Sequence, residues 1–456
     1  MSEDPSGVLK RMQSPTYRAW VLTIFILVAM FGFADRQIVS ALGQAIKKDL
    51  GVSDTQLGLL GGLAFALFNS LLAIPIARLA DRSRRLRIMA IGVVLWSLAT
   101  SLCGFARSFL QLSAARALVG VGEATGAPAT SSVIADYFPR DKRATAMAIF
   151  GLAIPLGALL GQAGGGFIAQ HFDWRSAFVI AGLPGLALAV LMALTVKEPL
   201  RGHYDPPPAS EAPPVLLDVL KRMIARPSFV HTALGSTIVS TGGFGIIYFQ
   251  AQLFFRHFGL NYAQAGLITG LISAVPGCIG ILGAGLVADW LGRKDARFYG
   301  WAPALGGLLA APGYMLSFSQ GSWPAATALL MLTGLAQYAY LPVSGAIYQN
   351  VMEPRMRASA AAVVGVMTNL VSASVGPLAV GALSDHFTRT AFARTGGGDY
   401  AHVCIGARMA ETAAAGACGQ ASATGLQTAC ILFALVYVWG AVHFLLAART
   451  LKRDMA

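Results

Sequence analysis

Charge is scarce in this chain of 456 residues: only 12% are Asp, Glu, Lys or Arg, about half the share of a soluble domain. So little charge cannot solvate a surface of this size, which excludes an ordinary cytosolic enzyme and a disordered chain. Cysteine is sparse too. Five residues with no CxxC or Cys/His cluster exclude a disulfide-stapled secreted module and offer no metal site. No Walker-type phosphate loop is present, which argues against ATP-driven work. What the chain has instead is 55% hydrophobic residues, a mean hydropathy of +0.62 and 51 glycines. That composition reads as an all-α polytopic membrane protein, with glycine serving close helix approach in lipid.

A bilayer-crossing helix needs about 20 apolar residues. That length gives twelve spans, near 18–46, 54–80, 87–106, 109–138, 142–170, 174–196, 228–257, 262–289, 297–318, 323–351, 357–386 and 425–449. The first is too long for a signal-peptide core. The expected organisation is an N-terminal segment (1–17), a six-helix bundle (18–196), a Pro-rich linker (197–227), a second six-helix bundle (228–450, with a loop at 387–424) and a tail (451–456). The net charge of +13 would suggest nucleic acid in a soluble protein. Here 24 of the 34 Lys and Arg fall in segments on one side and 8 on the other. The positive-inside rule then puts both termini in the cytoplasm, with membrane lipids and no nucleic acid as partners.

Four charged residues lie deep within spans, away from the helix ends: Asp35 and Arg36 in the first, Arg116 and Glu123 in the fourth. Each costs at least about 2.5–3.5 kcal/mol at mid-bilayer, and apolar packing would hold helices together better. They therefore read as functional. Arg116 and Glu123 are seven residues apart and share a helix face, whereas Asp35 and Arg36 point about 100° apart. The expected arrangement pairs Asp35 with one guanidinium and leaves the other for an anionic substrate. Asp35 and Glu123 would take protons, and the proton would be the coupling ion with no other cofactor. The second bundle lacks such charges. Its candidate cavity residues are neutral: Tyr248, Gln250, Gln337, Tyr338, Tyr340, Tyr348 and Asn369. Cys404 and Cys418, in the last loop, are candidates for a disulfide if that loop meets oxidising conditions.

The two halves repeat. Ala77-Arg78-Leu79-Ala80-Asp81-Arg82 after the second span matches Gly285-Leu286-Val287-Ala288-Asp289-Trp290 after the eighth. Pro139-Arg140-Asp141-Lys142-Arg143 matches Glu353-Pro354-Arg355-Met356-Arg357. Aligning the repeats sets Gln337 opposite Glu123, Leu330 opposite Arg116, and Gly242-Gly243-Phe244 opposite Ala34-Asp35-Arg36. This pattern resembles the major facilitator superfamily, two six-helix bundles around a cavity that opens alternately to each side. The resemblance implies a latch of Asp81, Arg82, Arg85 and Arg143, mirrored by Asp289, Arg293 and Arg357, that breaks when the halves rock. It also implies a transporter and not an enzyme, for which a monomer suffices.

Within that superfamily, Phe33-Ala34-Asp35-Arg36-Gln37-Ile38-Val39, Arg116-Ala117-Leu118-Val119-Gly120-Val121-Gly122-Glu123-Ala124 and Ile134-Ala135-Asp136-Tyr137-Phe138-Pro139 resemble motifs of the Spinster family. The resemblance implies a bacterial homologue in the inner membrane. Animal Spinster proteins move lysolipids and sphingosine-1-phosphate, so Arg36 or Arg116 would hold a phosphate and the neutral half would take the acyl tail. The proton-coupled organic-anion symporters of the same superfamily carry a similar set of four charges and import sugar acids. They are the alternative.

Overall fold

The computed structural model describes residues 14–201, 204, 215–353, 355–395, 398–404 and 415–455, with side chains left out at 77, 81, 82, 127, 128, 140, 141, 144, 289, 358 and 415. Among these residues every regular element is a helix. The first span, Pro15–Leu50, starts on a proline whose missing N–H costs nothing there, and ends at Gly51 in the left-handed region. The second starts at a Ser53/Gln56 capping box and runs as Asp54–Gly61 and Leu63–Arg82. Arg85–Cys103 is the third span, and Phe109–Glu123 with Gly126–Tyr137 the fourth. Arg140–Gly151 with Ala153–His171 is the fifth, and Trp174–Thr195 the sixth. A short linker helix, Leu216–Ile224, precedes the second half.

That half comprises Pro227–Phe258, Tyr262–Gly292, Phe298–Phe318, Trp323–Gln337 with Tyr340–Val351, Arg357–Ala393, and Ala415–Phe433 with Val436–Met455. The eleventh and twelfth spans extend further into the 387–424 loop than hydropathy alone indicates. Helix Tyr400–Cys404 also lies there, and a disulfide ties Cys404 to Cys418. Ten of the helical segments are long and apolar enough to cross a membrane. The fourth and ninth are not among them. The fourth is broken and charged, and Gly and Pro lower the hydropathy of the ninth.

The fourth and tenth spans break at matched points, directly after Glu123 and after Gln337. The repeat alignment pairs these two residues, so the duplicated architecture keeps an interruption where the side chains differ. Large leucines such as Leu194, Leu286 and Leu332 project from the bundle, as lipid-facing positions should. The first and fifth spans pack closely. A Cβ at Gly161 would collide with the backbone of Ala34, so glycine there lets the helix that carries Asp35 seat fully.

The halves are joined mainly at the face opposite the chain ends. Among the described residues, the hydrogen bonds and ion pairs between halves cluster there. The contact from the Asn369 amide to Ser70 Oγ, at 3.5 Å, is the deepest toward the middle. This structure is closed at the opposite face.

Candidate substrate and coupling site

The Asp35–Arg36 dipeptide reaches two points on one neighbouring helix. Arg116 Nη1 donates to Asp35 Oδ2 at 3.1 Å, and Arg36 Nε donates to Glu123 Oε2 at 2.6 Å. The 100° between adjacent helical residues and the two turns between Arg116 and Glu123 make this double pairing possible. Both guanidinium groups are therefore occupied, which corrects the expectation that one is left unpaired. The two pairs differ in access. Arg116 and Asp35 are 1% and 3% exposed, whereas the Arg36 side chain is 29% exposed over a buried Glu123. In this state Arg36 is open to an anion, whereas Arg116 is buried as the partner of Asp35.

Phe65 lies between the pairs, with its ring centroid 4.8 Å from the Arg36 guanidinium carbon and 5.6 Å from that of Arg116. Phe33 adds a second ring at 5.0 Å from Arg36. The aromatic faces stabilise both cations, Arg116 where water is excluded and Arg36 at the edge of the site. A Cβ at Gly120 would collide with the Phe65 carbonyl, so this glycine lets the second span approach the fourth closely. Asp35 Oδ1 and Glu123 Oε1 are buried and have no protein hydrogen bond. Each carboxylate thus keeps one oxygen without a protein partner, able to take a proton or a water.

Among the described residues, the second half presents no such charges at the matching depth. Gln337 accepts a hydrogen bond from the Tyr314 hydroxyl, and Tyr314 stacks on Tyr437 at 5.3 Å. Tyr338 packs near Gly277 and Gly280 of the eighth span. Tyr348 donates to Ser236 Oγ at 3.1 Å, and Asn369 is half-buried. Gln250 is buried with an unpaired side-chain oxygen. Tyr248 is held in the closed seam between halves in this state, its hydroxyl donating to the Leu57 carbonyl at 2.8 Å. A tyrosine in an apolar helix reads as a cavity wall, and only the tertiary arrangement shows which wall it faces.

At the face bearing the termini, the side chains of Asp81, Arg82 and Asp289 lie outside the described residues. Arg143 Nε donates to the carbonyls of Ala135 and Phe138 at 2.9 and 3.1 Å, and Arg357 Nε to Met352 at 3.1 Å. The two arginines thus cap the C-terminal carbonyls of the fourth and tenth spans in the same way. Arg293 is exposed. Arg85 is not a latch between halves. It is buried, pairing with Asp136 at 2.5 Å and Glu198 at 2.9 Å, and it fastens the third span to the fourth and to the start of the linker. In the basic turn 82–87 it resembled its exposed neighbours, and its acidic partners lie more than 50 residues away in sequence.

A charged cluster at the opposite face went unread in the sequence. Asp54 is fully buried and accepts from Arg256 Nη1 and Nη2 at 2.7 and 2.8 Å, from Lys47 Nζ at 2.7 Å and from Ser384 Oγ at 2.6 Å. Asp385 accepts from the backbone N–H groups of Asp54 and Thr55 at 3.0 and 2.8 Å, so an acid of one half caps a helix of the other. Lys47 and Arg256 look like ordinary flanking charges at span ends. Burial alone distinguishes them, and the available signal was an acid at a helix start between two basic helix ends.

Comparison with known proteins agrees with this geometry. The family model of the Major Facilitator Superfamily matches residues 24–377. An MFS-type efflux pump of Mycolicibacterium smegmatis is 32% identical, covering 81% of this chain and 86% of that protein. The sphingosine-1-phosphate transporter SPNS2 of Danio rerio is 28% identical, covering 83% of this chain and 78% of that protein. The crystal structure of a bacterial homologue to the human lysosomal transporter Spinster, inward-facing and unoccupied, superposes with a TM-score of 0.89 at 30% identity, covering 97% of this chain and 99% of that one. A duplicated all-helical membrane architecture, a charge tetrad within one half and these likenesses converge: the chain belongs to the major facilitator superfamily and is a Spinster-like integral membrane transporter.

Proposed function

We propose that this protein is a proton-coupled carrier of an amphiphilic anion such as a lysophospholipid or a sphingosine-1-phosphate-like molecule, working by alternating access in a bacterial inner membrane with both termini cytoplasmic. The observation that carries the reading is the Arg36–Glu123 pair, a partly exposed guanidinium held on a buried carboxylate. A proton on Glu123 removes the charge that holds Arg36, and the released guanidinium can take a phosphate or carboxylate bidentately. The Glu123 carboxylate and the anion then compete for one arginine, so a proton on Glu123 favours anion binding, which is a coupling mechanism. Asp35, fixed by Arg116, is the second candidate proton carrier. The apolar and aromatic second half supports a substrate with a tail.

The test is equilibrium binding to purified protein in nanodiscs at low and neutral pH, comparing a short-chain lysophosphatidate with galactonate. Saturable lysolipid binding that Arg36→Ala abolishes is expected. Binding of the sugar acid alone would assign the protein to organic-anion transport instead.

A further inference from the structure

The seam that closes the opposite face is built from the first and seventh spans in register. Ser40 Oγ donates to the Tyr248 carbonyl at 2.7 Å, the Gln252 amide lies over Gly43, and Gln44 Oε1 accepts from Arg256 Nε at 2.6 Å. The glycine at 43 leaves room for that amide, which would have to shift if a side chain stood there. The repeat alignment that sets Asp35 opposite Gly243 also sets Gln44 opposite Gln252. The two glutamines are thus counterparts, yet they are treated differently. Gln44 is engaged by Arg256. Gln252 is 1% exposed, and neither its amide nitrogen nor its amide oxygen has a hydrogen-bond partner. A buried amide left unpaired in this way is costly and calls for an explanation.

Arg256 supplies the context. It lies one helical turn beyond Gln252 on the same face and holds the Asp54 carboxylate through two parallel N–H bonds. Asp54 belongs to the first half and Arg256 to the second. When the halves part, Asp54 keeps Lys47, which is in its own half and 2.7 Å away. The Arg256 guanidinium is released beside the Gln252 amide. Along the first span, Lys47 lies roughly 18 Å from Asp35 at 1.5 Å per residue, so this location is separate from the Arg36 site.

We propose that Arg256 and Gln252 form a second anion site, on the opposite-facing side of the transport path, and that Asp54 fills it in the closed state as a tethered carboxylate. The ligand class is the anionic headgroup of the amphiphile, so the inference rests on the proposed function for the identity of the substrate. Guanidinium and amide together offer the donors that a phosphate needs, and the headgroup would pass from Arg36 to Arg256 as access alternates. Displacing Asp54 couples headgroup arrival to opening, because the anion supplies the charge that the gate surrenders.

The experiment measures binding of a short-chain lysophosphatidate in nanodiscs, with the matching uncharged monoacylglycerol as control. Removing the tethered anion by Asp54→Asn is expected to tighten lysophosphatidate binding by about tenfold, the scale of one bidentate contact. The gain should persist in Asp54→Asn/Arg36→Ala and be lost in Asp54→Asn/Gln252→Leu. No gain, a gain shared by the monoacylglycerol, a gain that disappears with Arg36→Ala, or a gain that survives Gln252→Leu overturns the site. Failure of Arg36→Ala to weaken binding in the otherwise native protein would instead overturn the proposed function.

Should Asp54→Asn not yield monodisperse protein, Arg256→Lys decides. It keeps the charge on Asp54 but not the bidentate geometry. Flux in oriented proteoliposomes should then show a raised half-saturation for substrate presented at the opposite face, unchanged for substrate presented at the face bearing the termini. Equal shifts at both faces would overturn the proposal.

Discussion

The two halves share a chain path but not a chemistry. Each breaks its fourth helix at the same point, after Glu123 in one and Gln337 in the other. In the first half the break sits beside two ion pairs and two aromatic rings. In the second it sits beside stacked tyrosines that satisfy an amide. Duplication thus preserved the hinge while one copy retained or acquired charge. A charge in lipid is expensive, so confining it to one half limits the cost and leaves the other half free to accommodate an apolar tail. The arrangement also gives the proton and the anion a common address at the Arg36–Glu123 pair of the first half.

The comparison can be broken most severely at Arg116. Arg116→Ala strands Asp35 as a buried unpaired acid, and breaking a buried pair costs about 3–5 kcal/mol. We expect a large fall in melting temperature and in the yield of monodisperse protein, partly restored by adding Asp35→Asn. Transferring charge to the other half is the next largest perturbation. Gln337→Glu places a carboxylate among tyrosines, with no cation contact among the described residues, and a loss of about 2 kcal/mol or more is expected by the same reasoning. If thermal stability is unchanged there, the second half is more polar at this depth than the described contacts indicate. The smallest effect should come from Phe65→Leu, which removes a ring from both guanidinium groups at similar volume. A cation–π contact is worth about 0.5–2 kcal/mol, so lysolipid affinity should fall by no more than about 30-fold.

Much of this was legible without coordinates, for identifiable reasons. Hydropathy revealed the spans because lipid imposes a fixed apolar length. The four charges deep in the spans stood out because nothing else in their helices explains them. Pairing was another matter. The sequence allows Arg36 to meet Asp35, Glu123 or a substrate, and only the packing of the first, second and fourth spans selects Glu123. The closed seam was invisible because Asp54 and Arg256 are about 200 residues apart and each looks like an ordinary helix flank. The place of Tyr248 in that seam was hidden for a related reason: periodicity shows that a residue is on a helix, not which half it faces. Arg85 was misjudged because a basic turn next to a membrane has an adequate topological explanation, and its burial against Asp136 and Glu198 comes from tertiary structure alone.

The central claim is that Glu123 exchanges Arg36 for a proton during transport, and one pair of flux measurements addresses it. Glu123→Gln protein in liposomes would be assayed for lysolipid movement driven by a pH gradient, and for one-for-one exchange of labelled against unlabelled substrate with no gradient. The account predicts that gradient-driven movement falls to background while exchange persists, since the amide leaves Arg36 permanently available to the anion. Gradient-driven movement equal to that of the unmodified protein would contradict it.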